Sequence, residues 1–395
     1  MQRLRAELRR ATTPVLAVVT AFVLGAIVIV LTDVEHLRLL GTDPSAAIGG
    51  ALGGVIDGYP AMLSGAIGDP GRIVAAFQSG TADDIAAAVR PLSETLISAT
   101  PFIFAGLGLV VSFRAGLFNL GVDGQFLIGG LGALITAALV GGVLPPLLAL
   151  AIAVAGGVIA GGAYAFVPGL LKARTGAHEV ITTLMLNGIA PSLAFLVARW
   201  VALPLQPPAV PPVPRLSDLP TIRADVGFVL ALVMAVAVSW LLFRTRLGFE
   251  LRATGLNRTA ARAAGIRSGR TTILAMTVSG GLVGLGSALF SLGPAWGSGG
   301  APFELGYVAI ALALLAGRRP GGVVVAALFY GALTTGAKNM VIVTGVPLAL
   351  LMVIVAFAII FVAAPELTRS IWRLRGPTRA AETDATPASG ATGSG

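Results

Sequence analysis

Four side chains able to hold a polar solute fall within one short stretch, residues 114–125, which reads Arg-Ala-Gly-Leu-Phe-Asn-Leu-Gly-Val-Asp-Gly-Gln. Arg114, Asn119, Asp123 and Gln125 supply donors and acceptors, and Gly116, Gly121 and Gly124 lie between them. Apolar runs flank the stretch at 95–113 and 126–142. Polar groups near membrane depth are costly unless they face a cavity or a protein partner. Glycines there let the backbone leave the helix, which is tolerated only where the chain is covered or lines water. The chemistry this implies is weak, reversible hydrogen bonding along a bent, cavity-lining segment. An ordinary turn between two spans is the plainer alternative.

Further candidates are scattered. Asn187 sits inside the apolar run 180–199, with Thr182 and Thr183 one turn earlier. It could bind a hydroxylated ligand or join two helices, a bond averaging under about 1 kcal/mol. His178 and Glu179 stand at the mouth of that run. Sequence neighbours point to different sides of a helix, so capping or loop packing is favoured over proton coupling. Glu304 and Lys338 read as side chains snorkelling to an interface. Phe118, Phe126, Trp296 and Tyr307 could stack on a base, or simply pack.

Covalent chemistry finds no support. There is no cysteine, and the two histidines, His36 and His178, lie in different segments, so neither a metal site nor a cofactor is expected. No paired carboxylate or Ser–His constellation argues for an intramembrane enzyme. No Gly-x-x-x-x-Gly-Lys-Ser/Thr phosphate loop is present, so any ATP hydrolysis must occur on another chain.

The elements that must position these residues are membrane helices. Hydrophobic residues make up 56% of the 395 and charged residues 11%, and mean hydropathy is +0.90. Soluble domains carry roughly 25% charge, so the reading is an all-α polytopic membrane protein. A crossing needs about 20 apolar residues, and ten runs qualify: 14–31, 95–113, 126–142, 144–167, 180–199, 226–243, 271–291, 304–317, 321–337 and 343–364. The third and eighth are short or glycine-rich and could enter without crossing. The first run is too long for a cleaved leader and is expected to be retained. With a cytoplasmic N-terminus, 20 of the 27 Lys and Arg residues fall inside, which sets the orientation and places both termini in the cytoplasm of a cell-membrane protein. The high isoelectric point reflects this topology rather than nucleic-acid binding.

Around the transmembrane region 14–368, a basic N-terminus covers 1–13 and a tail expected to be disordered covers 369–395. The outer segment 32–90 is acidic, and its stretch 46–68 is interrupted by Gly, Pro and Asp, so a short interfacial helix is expected there. The outer loop 201–225 holds seven prolines and should be extended and stiff, either as a brace for a partner or as a plain surface loop. Gly157 with Gly161 and Gly280 with Gly284 have the spacing that lets membrane helices approach closely.

The cytoplasmic loop 244–270 has the order of a small handle. Asn257 can cap a helix beginning at Arg258, and Gly265 can end it. Ala260, Ala261 and Ala264 would form a compact face able to enter a groove of another protein. The alternative is a basic anchor to acidic headgroups.

Residues 114–125 resemble the signature of ABC-importer permeases of the branched-chain amino acid, ribose and nucleoside group, nearest its nucleoside and simple-sugar members. Residues 172–187, 255–266 and 313–320 are similar to the same group, in the expected order across 90–365. The resemblance implies an importer-type bundle that pairs with a second permease, two cytoplasmic ATPase subunits and an extracytoplasmic substrate-binding lipoprotein. It implies that Gly255, Asn257, Ala260, Ala261 and Gly265 form the ATPase coupling helix. It also implies that Asn119, Asp123 and Gln125 belong to the family's bent segment, and His178, Glu179 and Asn187 to the entry and body of the fifth run. The expected substrate pathway is then lined by Asn119, Asp123, Gln125, Thr183 and Asn187. Residues 303–313 depart from the family pattern in the place of their acidic residue. Branched-chain amino acids or ribose are alternative cargoes, and an ATP-independent secondary transporter is the rival class. That rival needs a coupling carboxylate at mid-membrane, and only Asp123 comes near.

Overall fold

The computed structural model describes residues 2–33, 37–201, 210–216, 224–293 and 305–372. His36, Trp296, Glu304, four of the outer prolines and the tail beyond 372 lie outside these residues. Among the described residues the fold is helical, without a strand. A helix covers each of the ten apolar runs. Seven are long and apolar enough to cross a membrane: α4 (Ala82–Arg114), α5 (Val122–Val140), α6 (Pro146–Thr175), α7 (Glu179–Trp200), α8 (Val226–Arg244), α11 (Ser268–Ser291) and α13 (Pro320–Thr344). Three shorter apolar segments belong to α1 (Gln2–Thr32), α12 (Leu305–Leu315) and α14 (Leu348–Ala363). Between α8 and α11 lie α9 (Arg246–Leu256) and α10 (Arg258–Ala263). The 19 residues of α5 suffice for a crossing, whereas the 11 of α12 reach about 16 Å, roughly half the hydrocarbon thickness.

Helix α4 is the axis of the bundle. Thr81 caps it by accepting from the Asp84 N–H, and Asp83 and Asp84 in its first turn and Arg114 in its last suit the helix dipole. Every residue from Ala99 to Phe113 is buried, so this helix is apolar all round and enclosed by α8, α11, α12 and α13. Beside it, α6 and α11 meet through the two glycine pairs seen in the sequence, which face each other. A methyl on Gly161 would lie 2.6 Å from the Gly280 carbonyl and 2.8 Å from the Gly284 Cα. Gly129 of α5 joins the same contact, with a methyl there 2.6 Å from the Gly284 Cα. Backbones this close gain dispersion energy that larger residues would prevent.

The stretch 46–68 corrects its expectation. It forms a continuous 24-residue helix, α2 (Pro44–Ile67), capped by Asp43 accepting from the Ala46 N–H. The small residues read as breakers are its contact face: Gly58 lies on Met340 and Gly65 on Asn339 of α13, and Gly336 of α13 fits against Met62. Asn339 Nδ2 donates to the Ala61 carbonyl at 2.7 Å, and Thr95 Oγ1 to the Ala66 carbonyl at 2.7 Å. Asp57 stays on the exposed face. After it come α3 (Pro70–Ser79), capped by Asp69, and α4. The chain closes with α15 (Pro365–Ile371).

The described ends of the proline-rich loop are fastened down. Val213 N–H donates to the Leu292 carbonyl at 2.9 Å, Leu216 N–H to Ala224 at 2.8 Å, and Val226 N–H to Pro214 at 2.9 Å. Ala224 N–H donates to Ser93 Oγ of α4 at 2.8 Å. Asp225 caps α8 by accepting from the Gly227 N–H at 2.9 Å. Burial pushes its carboxyl up to about 6, against the opposing pull of the Gly227 and Phe228 amides.

Two outcomes are expected. Gly336→Leu should separate α2 from α13 and lower stability by about 1–3 kcal/mol in a thermal melt, whereas Gly53→Leu, on open space in the same α2 helix, should be near neutral. Asp225 binds its proton more tightly folded than unfolded, so its contribution is present below about pH 4 and is lost as pH rises through about 6. Asp225→Asn should therefore melt close to wild type at pH 4 and gain on it by up to about 3 kcal/mol above pH 6. A pH-independent difference between the two proteins would contradict the assignment.

Candidate functional site: the broken helix and its handle

After Arg114 the chain turns at Ala115 and Gly116, runs without regular structure to Gly121, and enters α5 at Val122. Gly116 takes φ +71, a left-handed conformation in which a side chain would be strained. The excursion and the first turn of α5 lie against α7, α11 and the start of α12, held there by Asn119, Asp123, Gln125, Thr183 and Asn187.

Asn119 and Gln125, both buried, form a reciprocal amide pair. Asn119 Nδ2 donates to Gln125 Oε1 at 3.0 Å, and Gln125 Nε2 donates to Asn119 Oδ1 at 2.9 Å. Asn119 Nδ2 also reaches Ser279 Oγ of α11 at 3.0 Å, and its Oδ1 accepts the Gly121 N–H at 3.0 Å. From α7, Asn187 grips the backbone at two points: Oδ1 accepts the Gly124 N–H at 2.9 Å, and Nδ2 donates to the Leu120 carbonyl at 2.6 Å. One turn earlier, Thr183 Oγ1 accepts the Leu120 N–H at 3.2 Å and donates to the Glu179 carbonyl at 2.7 Å. Asp123 Oδ1 accepts the Gly306 N–H at 2.8 Å, tying α5 to the first turn of α12.

The five pathway candidates thus come together as one network. Asn119, Gln125 and Thr183 are sealed inside, while Asp123 and Asn187 are half-buried. Phe118 is the exposed side chain of the loop, its ring 4.9 Å from Phe113. Sequence reasoning missed Ser279 and Ser287, whose hydroxyls meet Asn119 and the Phe126 carbonyl. Serines eight apart on a glycine-rich helix are too common to signal this. It also missed Lys172, whose Nζ lies 2.5 Å from Glu179 Oε2. This ion pair joins the end of α6 to the start of α7, and the Phe118 N–H also turns toward the Glu179 carboxylate. His178 stands at the N-cap of α7 without a side-chain capping bond. Lys338 is exposed, as is Tyr307, whereas Phe126 packs at 5.9 Å from Phe290.

The handle has the expected order. Asn257 Oδ1 accepts the N–H groups of Thr259 and Ala260, both at 3.0 Å, and α10 follows. Gly265, at φ +81, donates to the Arg262 carbonyl, and Ile266 donates to Ala261, the nested pair that ends a helix on glycine. The face differs in detail: Ala260 and Ala264 are exposed, whereas Ala261 is buried against the protein body. Leu256, exposed, extends the open side. Arg258 donates to Thr272 Oγ1 at 2.7 Å and secures α10 to α11.

Gly255 lies in the joint between handle and broken helix. A methyl on it would collide with the Arg114 carbonyl and come within 2.8 Å of the Gly116 nitrogen, while one on Gly116 would lie 3.0 Å from the Gly255 Cα. Two backbones are in direct contact here, with no side chain between them to absorb a displacement. Arg114 Nε adds a bond to the Arg318 carbonyl at 3.0 Å, in the turn between α12 and α13. Arg318 is the non-glycine residue with positive φ among those described, at 56°. Among the described residues no group of three or more His, Cys, Asp or Glu could hold a metal ion.

The guanosine ABC transporter permease protein NupP of Bacillus subtilis is 34% identical over 313 residues, covering 76% of this chain and 89% of that one. The nucleoside ABC transporter permease protein NupB of Lactococcus lactis is 30% identical over 371 residues, covering 90% and 91%. The glucose ABC transporter permease protein TsgB13 of Haloferax volcanii is 33% identical, covering 70% and 76%. No solved structure matches. The family described as the permease component of the branched-chain amino acid transport system matches residues 92–364, which take in the broken helix, its supports and the handle, and the chain belongs to that family.

Proposed function

We propose that this chain is the membrane pore subunit of an ATP-driven importer for nucleosides, with simple sugars as the nearest alternative cargo. The match spans 89% of NupP and 91% of NupB, named for guanosine and nucleoside transport, and 76% of TsgB13, named for glucose. The observation that carries the mechanism is the contact between Gly255 and Gly116. A cytoplasmic ATPase subunit grips the open side of α10, formed by Ala260, Ala264 and Leu256. Its closure on ATP displaces the handle. Because Gly255 presses on the backbone at 114–116, the displacement reaches the broken helix without slack. Asn119, Gln125, Thr183, Asn187 and Asp123 keep that segment in register with α5, α7 and α12, so these elements shift together. Phe118, carried on the segment and open to solvent, is the side chain placed to change the width of the path.

A second permease, identical or related, completes the pore, and an extracytoplasmic binding lipoprotein delivers the solute. The chain itself performs no covalent step. It supplies geometry and reversible contacts. The orientation follows from charge: the handle and the Arg318–Arg319 turn are cytoplasmic, as are both termini.

Vesicles carrying the permeases, ATPase and binding protein should accumulate labelled guanosine on ATP addition, with glucose a weak competitor. Accumulation driven by an ion gradient without nucleotide would remove the reading. Gly255→Val should cut uptake at least about tenfold, equal to about 1.4 kcal/mol in coupling, and abolish stimulation of ATPase activity by loaded binding protein, while the ATPase still copurifies. Uptake at the wild-type rate would show that the joint carries no force. Because the chain lacks cysteine, single variants report topology cleanly. Arg215→Cys should react with an impermeant maleimide in intact cells and Thr259→Cys only after permeabilisation. The reverse pattern would invert the orientation.

A further inference from the structure

The arginines at the end of the bundle that carries the handle have a use outside the coupling device. Arg114, Arg252, Arg318 and Arg319 lie close enough for the last three to repel the first. The guanidinium carbons of Arg114 and Arg252 each stand 5.3 Å from the centroid of the same ring, Phe243. Among the described residues, no carboxylate forms an ion pair with any of these four or with Arg244. A cluster of like charges held together without an anion is costly, and the cost falls when an anion arrives.

The Phe243 ring that Arg114 and Arg252 share also lines a groove of about 590 Å3 between α8 and α13. Its wall is mainly apolar, with Leu232, Ala235, Val236 and Val324, and its mouth is formed by Phe243, Arg244 and Gly321. Trp240 and Phe243, at the mouth, are 63% and 40% exposed, as amphipathic or aromatic rings are at a membrane interface. Gly321 belongs to the first turn of α13.

We propose that this groove binds one anionic phospholipid, its acyl chain along α8 and α13 and its phosphate among Arg244, Arg252 and Arg319. An acidic segment of a partner protein would satisfy the arginines but leave the apolar groove unfilled. A zwitterionic lipid would fill the groove and leave the charge unanswered. An anionic lipid answers both, and basic pockets between membrane helices bind such headgroups. The inference does not rest on the cargo or on the coupling scheme, since it needs only that the chain sits in a bilayer.

The test uses the full-length permease in nanodiscs of equal parts phosphatidylcholine and phosphatidylglycerol, extracted into mild detergent, with bound lipid read by native mass spectrometry. Wild type should retain phosphatidylglycerol preferentially. Arg244→Gln with Arg252→Gln should weaken retention about 25-fold, about fivefold for each arginine at about 1 kcal/mol apiece. Ser239→Trp, which fills the groove and leaves the charge unchanged, should also release the lipid. Unchanged retention in either variant would overturn the proposal, as would equal retention of phosphatidylcholine. Loss of the copurifying ATPase from the arginine variant with lipid retention intact would assign the arginines to the partner instead, which also overturns it.

Discussion

A chain that leaves the helix inside apolar surroundings must still find a partner for each N–H and carbonyl it frees, because no water is there to supply one. The bonding of the covered part of the break, residues 119–124, follows from that constraint. Asn119 answers the Gly121 amide, Asn187 answers Gly124 and the Leu120 carbonyl, and Thr183 answers the Leu120 amide. Each of these residues, read as a polar lining, is spent first on backbone. The buried amide pair of Asn119 and Gln125 then fixes the loop to the helix that follows it. Networks of this kind are stiff when every member is satisfied and costly when one is removed. A segment so held moves as a body, and a body is what a distant force can push.

The force enters through close packing rather than through a specific bond. Gly255 and Gly116 touch backbone to backbone, and behind them the glycines of α5, α6 and α11 bring three more helices into similar proximity. In a bilayer, where lipid tails are as apolar as the helices themselves, close approach supplies association that burial alone cannot. The same glycine content therefore gives the bundle its cohesion and gives the handle a rigid purchase on the broken helix. The arginines at that end, crowded and with no ion-paired carboxylate among the described residues, add a charge that the surrounding lipid is suited to balance.

Much of this was legible in the sequence where the rule is local. The cap at Asn257 and the stop at Gly265 involve partners within four or five residues, and they stand where expected. Apolar length located the helices for the same reason. Partners set by tertiary packing were invisible: Asn119 meets Ser279 across 160 residues, and Asn187 meets Leu120 across 67. Ala261 was grouped with Ala260 and Ala264, yet it faces inward, because a six-residue helix is oriented by what it rests on. Residues 46–68 read as a short interfacial helix, too broken to span, because glycine and proline count as breakers in isolation; what the reading misses is the length of α2. Against α13 those residues become the contact, and the neighbouring helix supplies the stability that propensity withholds.

The central claim is that the break between α4 and α5 is a fixed unit, its Leu120, Gly121 and Gly124 amides held by side chains, rather than an open loop. Hydrogen–deuterium exchange of the full-length protein in nanodiscs measures it directly, at the amides of Leu120, Gly121 and Gly124. These should exchange as slowly as the flanking helices in wild type and far faster in Asn187→Leu. Exchange in wild type as fast as in an exposed turn would contradict the account.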